Sequence, residues 1–311
     1  MRILKRILLV ILACILIAAG IAAVALKIKD TEKYTLDDGH REQAPGSFIG
    51  LSDGLTHFEL AGPDSAKLIV LVHGFSVPFY IWDSTFNYLV AQGYRVLRYD
   101  EFGRGYSDRP DKVYSAAFLR KQLHELLDSL HVKQVEALAG LSFGGPVTTD
   151  FMAHYPGWVN KLILVDPAYP DAGPAKFTYP EFVQEYMMAL NPEKMVAGQL
   201  TDLKYPERFP AWGDQYKVQM QFKGFRQGLV STRNHYAEPD SVRANYAKVE
   251  SLHKPVLLIW GREDETVPFR YADSVRKVLS VDYFPVNDAG HLPQMEKAAL
   301  VNEKINTFLK N

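Results

Sequence analysis

Three residues stand in settings where their side chains suit nucleophilic chemistry: Ser142, His291 and a nearby-in-role carboxylate, Asp264. Ser142 lies in Gly140-Leu-Ser142-Phe-Gly144, a G-x-S-x-G pattern. Its physical content is a sharp strand-to-helix turn that exposes the hydroxyl. A Cβ beside such a turn would collide with backbone, and Gly140, Gly144 and Gly145 remove that obstacle. The pattern is short and arises by chance in unrelated chains. Its weight comes from the apolar run Val135–Ala139 before it and the helical stretch after it. Serine is a weak nucleophile unless a base takes its proton. His291, in Asn287-Asp-Ala-Gly-His291-Leu-Pro293, follows the last strand-like run and is the candidate base. A carboxylate must hold its imidazole in the productive tautomer. The stretch Gly261-Arg-Glu-Asp264-Glu-Thr-Val-Pro268 offers Glu263, Asp264 and Glu265, of which Asp264 is preferred. Asp166, ahead of Pro167, is the rival. The chain order Ser, Asp, His differs from the chymotrypsin and subtilisin orders. A developing oxyanion needs two backbone N–H donors. Phe143, next to Ser142, and Phe75, in His73-Gly74-Phe75-Ser76, are expected to supply them, with His73 structural.

The elements that must position these residues are short buried runs alternating with amphipathic stretches. Leu68–Val72, Tyr94–Tyr99, Val135–Ala139, Lys161–Val165, Val256–Trp260 and Val281–Phe284 read as strands, mostly of the kind buried on both faces. Ser115–Leu130 carries apolar residues near the 3.6-residue period, and Pro146–His154, Phe269–Leu279 and Ala298–Leu309 are further helical stretches. This alternation predicts an α/β fold with a mostly parallel central sheet flanked by helices. One interval breaks the rhythm. Pro167–Pro255 has no strong strand and is rich in aromatic residues, among them Phe177, Tyr179, Phe182, Tyr186, Trp212, Tyr216 and Phe225. A structureless loop of that length is not expected in a compact domain. The interval predicts a helical cap over 169–250, splitting a core formed by 48–168 and 251–311.

The N-terminus is different in kind. Ile7–Leu26 is an uncharged run of 20 residues, about 30 Å as a helix, the thickness of a bilayer core. Arg2, Lys5 and Arg6 precede it, whereas Lys27, Lys29 and Lys33 are offset by Asp30 and Glu32. That bias favours a cytoplasmic N-terminus and an extracytoplasmic body. Residues 1–28 are therefore expected to be a signal anchor, with a cleaved signal peptide ending near Ala23-Val24-Ala25 as the competing reading and lipidation at Cys14 a poorer one. Residues 29–47 are polar, without clear period, and read as a tether.

The remaining composition excludes more than it selects. The chain has 311 residues, 47% apolar and 23% charged, with a net charge of −1. Without a run of Lys or Arg, nucleic acid is not an expected partner. Cys14 is the single cysteine, which rules out an internal disulfide, a thiolate zinc site and a cysteine nucleophile in the body. No cofactor and no metal are expected.

Taken together, His73-Gly74-Phe75, Tyr99-Asp-Glu-Phe-Gly-Arg-Gly-Tyr-Ser-Asp108, Gly140-Leu-Ser-Phe-Gly-Gly145, Leu164-Val-Asp-Pro167, Trp260-Gly-Arg-Glu-Asp264 and Ala289-Gly-His291 resemble the α/β-hydrolase fold superfamily, in its capped esterase- and lipase-like members. The pieces fall in family order across about residues 55–311. Glu101 and Phe102 depart from the smaller turn of many relatives. The resemblance implies cofactor-free cleavage of a carboxylic ester, lipid-like esters included, through an acyl-enzyme on Ser142. It also leaves open carbon–carbon bond hydrolysis or haloperoxidase chemistry with the same triad, and a non-catalytic binding protein on the same scaffold. Relatives acting as epoxide hydrolases or dehalogenases use an aspartate nucleophile, which Ser142 replaces here.

Overall fold

The structure, a computed structural model, describes residues 2–170 and 179–311; Phe177 and the start of the expected cap lie outside the described residues. In chain order the elements are α1 (Arg2–Lys29), α2 (Asp38–Arg41), β1 (Ser47–Leu51), β2 (Gly54–Ala61), β3 (Leu68–Val72), α3 (Asp83–Ala91), β4 (Arg95–Tyr99), α4 (Ala116–Ser129), β5 (Val135–Leu141), α5 (Gly144–His154) and β6 (Val159–Val165). There follow α6 (Glu181–Leu190), α7 (Pro192–Leu200), α8 (Trp212–Met220), α9 (Phe225–His235), α10 (Pro239–Ser251), β7 (Val256–Gly261), α11 (Tyr271–Arg276), β8 (Asp282–Val286), α12 (Pro293–Glu296) and α13 (Ala298–Lys310).

The eight strands form one sheet in the order β1-β2-β4-β3-β5-β6-β7-β8. β1 and β2 are antiparallel to their neighbours, and every pairing from β4 to β8 is parallel. Alternate residues of the central strands feed two separate cores. Val70, Val72, Leu138, Leu164 and Leu258 pack with Leu119 and Leu123 of α4, Phe151 of α5 and Tyr246 of α10. Ile69, Leu71, Ala139, Ile163 and Ile259 pack on the opposite face with Phe86 and Leu89 of α3 and Val301 and Ile305 of α13. Both faces are thus covered, which is why these strands read as continuous apolar runs. Pro285 is tolerated in β8 because that strand is at the sheet edge.

Three features differ from expectation in detail. β1 and β2 add a hairpin ahead of the first strand read from sequence. α10 packs on α5 and contributes Val242, Tyr246 and Val249 to the core, so the helices that arch over the strand ends are α6 to α9. Residues 29–47 are docked rather than aperiodic: Tyr34 pairs with the 221–223 turn (Tyr34 N–H to Gln221 O, 3.0 Å; Lys223 N–H to Tyr34 O, 2.8 Å). Glu32 accepts the N–H groups of Gly224 and Arg226 at 2.8 and 2.7 Å. Of the cap aromatics, Trp212, Tyr216, Phe222 and Phe225 are buried, whereas Tyr179 and Phe182 face outward.

Candidate active site

Parallel strands end together, and the loops beyond their C-terminal ends are where such sheets gather functional groups. Phe75 follows β3, Ser142 follows β5, Asp166 follows β6, Asp264 follows β7 and His291 follows β8. The turn at Ser142 is as tight as its glycines suggest. Ser142 has φ +51°, a left-handed conformation that costs a non-glycine residue roughly 1–2 kcal/mol. Ser142 N–H donates to Val165 O at 2.9 Å, and Ser142 O accepts from Gly145 and Ala168 at 2.9 Å each. A Cβ on Gly140 would lie 2.2 Å from Gly144 O, and one on Gly144 would lie 2.5 Å from Val72 O. The loop after β3 passes as close: a Cβ on Gly74 would sit 3.4 Å from Ser142 Cβ and 3.9 Å from its Oγ.

His291 Nδ1–H donates to Asp264 Oδ2 at 2.8 Å, leaving Nε2 as the free, basic nitrogen. Both residues are buried. Burial opposes protonation of His291, but the Asp264 carboxylate and its hydrogen bond outweigh burial and raise the imidazole above its ordinary value. Asp264 Oδ1 is held by the N–H groups of Thr266 and Val267 at 2.9 and 2.8 Å. Asp166 stands beside them, its Oδ1 accepting from Gly261 N–H at 2.8 Å. It is fully buried, and that burial, reinforced by the Asp264 charge, raises its carboxyl well above the ordinary range. The structure thus brings Asp264 rather than Asp166 onto the imidazole. The three groups lie within 4.8 Å of one another. Asp264 is engaged at both oxygens, by His291 Nδ1–H and by two backbone N–H groups, an arrangement that orients the imidazole.

Ser142 and His291 line one cavity of about 340 Å³, with Gly74, Phe75, Leu141 and Leu292 from the core. The Ser142 hydroxyl makes no hydrogen bond among the described residues, consistent with catalytic hydrogen bonds that tighten only around substrate. Neither Phe75 N–H nor Phe143 N–H has an acceptor among the described residues, and the two rings meet edge-on at 6.0 Å. His73 is buried with Nδ1–H on Gly74 O (2.7 Å) and Nε2 accepting from Glu101 N–H (2.9 Å), and burial pushes it down to about 4. It braces the loop as a neutral ring.

Other residues join the site that the sequence did not single out. From the cap, Met188, Met195, Gln199 and Asp202 line the cavity. Asp202 also touches the loops that carry His291 and Asp264: its carbonyl accepts His291 N–H at 2.9 Å, and its carboxylate accepts from Thr266 Oγ1 at 2.6 Å. Glu296 joins loop and cap by accepting the N–H groups of Gly290, Lys204 and Tyr205 at 2.7, 2.8 and 3.1 Å. Beneath the loop after β3, Arg104 donates from Nε to Phe75 O at 3.0 Å. Glu101, the odd residue of its turn, lies buried near it; burial pushes its carboxyl up to about 8 despite the Arg104 charge. Backbone contacts and buried charge partners of this kind leave no local pattern to read in advance.

Comparisons with known proteins agree with this architecture. The profile of a family described as the alpha/beta hydrolase fold matches residues 67–298. The AB hydrolase superfamily protein YfhM of Bacillus subtilis is 26% identical over 279 residues, covering 84% of this chain and 96% of its own. Carboxylesterase YbfK of the same organism is 24% identical, covering 84% and 86%. The crystal structure of an enol-lactonase from Burkholderia xenovorans superposes with a TM-score of 0.72 at 20% identity, covering 85% of this chain and all of that one, a likeness of fold. Further relatives are named as epoxide hydrolases and as a 2-hydroxy-6-oxononadienedioate hydrolase, so likeness alone does not choose the bond that is cleaved. α1 is long and apolar enough to cross a membrane; a signal sequence has the same character.

Proposed function

Since the chain belongs to the alpha/beta hydrolase fold family, we propose that it is a membrane-anchored serine esterase whose nucleophile, base and acid are Ser142, His291 and Asp264. The observation that carries this reading is the half-buried, left-handed Ser142 in one cavity with an imidazole already oriented by a buried carboxylate. In this mechanism His291 Nε2 takes the Ser142 proton as Oγ attacks the ester carbonyl. The oxyanion meets the free N–H groups of Phe75 and Phe143. His291 then returns the proton to the leaving alcohol, and water releases the acyl group by the same steps. Asp264 keeps Nδ1 protonated and balances the imidazolium without taking its proton. The Met and Leu side chains of the cavity wall suit an apolar acyl group.

The wild-type chain is expected to hydrolyse p-nitrophenyl esters, with a preference for chains longer than acetyl, and Ser142→Ala to abolish that turnover. Equal turnover by the Ser142→Ala variant would overturn the assignment. The 2-hydroxy-6-oxononadienedioate hydrolase relative, 26% identical over 87% of this chain, supports a second reading: carbon–carbon bond cleavage with the same groups. Turnover of a vinylogous diketone with none of any ester would favour it. For α1 we propose an uncleaved anchor with its N-terminus cytoplasmic, on the charge bias of its flanks.

A further inference from the structure

We propose that α6 of the cap is seated in the membrane interface, and that the substrate is an acyl ester drawn from the bilayer between α6 and α7 to Ser142. This rests on the anchored-esterase reading above. The starting observation is a contact between the anchor and the cap: Tyr186 OH on α6 donates to Ala22 O on α1 at 3.1 Å. Leu26 and Asp30 line a recess with Phe182, Val183 and Tyr186. Ala22 is four residues inside the apolar end at Leu26, about 6 Å at 1.5 Å per residue. That is the depth at which interfacial helices lie, roughly 5–10 Å into the headgroup–acyl boundary. If α1 spans, α6 is held at that level.

The surface of α6 fits the placement. Phe182, Val183, Tyr186, Met187 and Leu190 share one arc of the helix at i, i+1, i+4, i+5 and i+8. α1 meets it at Tyr186. Phe182 and Met187 remain 73% and 52% exposed, and neighbouring Tyr179 56%. Glu181 and Glu185 lie off this arc: Glu181 meets His235 at 2.6 Å, and Glu185 faces Arg226 and Glu32. An apolar arc with its acids turned aside is what a bilayer surface would accept.

Inward of α6, a surface groove and the Ser142 cavity share wall residues. A groove of about 480 Å³ runs between α6 and α7, lined by Tyr179, Met187, Met188, Lys194, Met195 and Arg233. Met188, Lys194 and Met195 also line the catalytic cavity. One helix therefore presents Met187 to the outside and Met188 to the chamber of Ser142. Unbranched thioether side chains adapt to flexible apolar guests.

Seating can be tested without reference to catalysis. In the full-length chain, Cys14→Ser removes the one native thiol, and nitroxide labels are placed through Phe182→Cys, Met187→Cys and, as a control on exposed α10, Ala247→Cys. In phosphatidylcholine vesicles, labels at 182 and 187 are expected to relax with oxygen and resist a water-soluble nickel chelate, with the reverse at 247. Nickel accessibility at 182 and 187 equal to that at 247 would overturn the proposal. Access to substrate is tested with Phe182→Ser, which leaves the groove lining intact. Turnover of monoolein in vesicles should fall roughly threefold or more, while turnover of soluble p-nitrophenyl acetate is unchanged. A parallel fall on both esters, or none on either, would refute the bilayer route. Inactivity of the wild type on every ester would instead refute the proposed function and leave the label result to decide the seating.

Discussion

At the residue scale the deciding comparison is between two buried aspartates at adjacent strand ends. Asp264 receives the imidazole N–H and two backbone N–H groups. Asp166 has one backbone donor and Asp264 as its neighbour, and two such groups do not ionise together. Asp264→Asn should therefore lower kcat about 10⁴-fold, the loss expected when the wrong imidazole tautomer is held. Asp166→Asn, which swaps a neutral acid for a neutral amide, should keep kcat within about tenfold. Steady-state rates on one p-nitrophenyl ester compare the two, and the reverse ranking would move the acid to Asp166. His291 must be neutral to act. Its pKa is raised, so kcat/KM should rise with pH along a limb whose midpoint lies above the ordinary 6.5 of histidine. A midpoint at or below that value would contradict the Asp264–His291 pairing. Ser142 and His291 stand out in the sequence because each follows a strand-like run among small residues, whereas Asp264 is one of three neighbouring acids and it is the hydrogen bond to His291 that distinguishes it. Asp202 does not stand out: it meets His291 through its carbonyl, which every residue possesses.

At the scale of elements, the strand-to-helix turn tolerates no side chain at Gly140. Gly140→Ala would force a Cβ to 2.2 Å from Gly144 O, so α5 and the serine must move. We expect a loss of roughly 2–4 kcal/mol in chemical denaturation together with loss of esterase turnover. Native stability and rate in this variant would contradict the turn geometry. Glu296 plays a different part, binding the catalytic loop to the cap through three backbone donors. Glu296→Ala should speed hydrogen exchange at 202–205 and lower kcat more than it raises KM, whereas an unchanged exchange pattern would count against it. The parallel strands were readable because both faces are buried. β1 and β2 were not, since Gly54, Thr56, His57 and Glu59 interrupt any apolar run in a half-covered hairpin. α10 falls inside the interval read as a helical cap, and nothing in its apolar stripe of Val242, Tyr246 and Val249 says that it packs on α5 instead.

At the scale of the whole molecule, α1, the cap and the sheet are joined through the 29–47 segment, which the sequence reads as a tether. His57 is central to that joint. Its Nδ1 lies 2.6 Å from Asp100 Oδ2 and its Nε2 lies 2.5 Å from Pro45 O, so both nitrogens face acceptors, a setting that favours the imidazolium. Burial works against that charge, but Asp100 overcomes it and raises His57 above its ordinary value. The stabilisation is therefore complete below about pH 6.5 and is lost as pH rises through the higher folded-state value. Melting temperature should fall along that limb in the wild type, and His57→Gln should cost about 3–5 kcal/mol and flatten it. A variant with the wild-type pH dependence would refute this account. No sequence pattern announced the pair, because its partners are 12 and 43 residues apart from His57 along the chain.

The central claim is that Ser142 is the nucleophile, and covalent labelling tests it most directly. The full-length wild type is treated with a fluorophosphonate, digested, and the modified peptide located by mass spectrometry. One adduct on Ser142, absent from Ser142→Ala and slowed in His291→Ala, is the predicted result. Undiminished labelling in Ser142→Ala, or an adduct carried by another residue in the wild type, would contradict it.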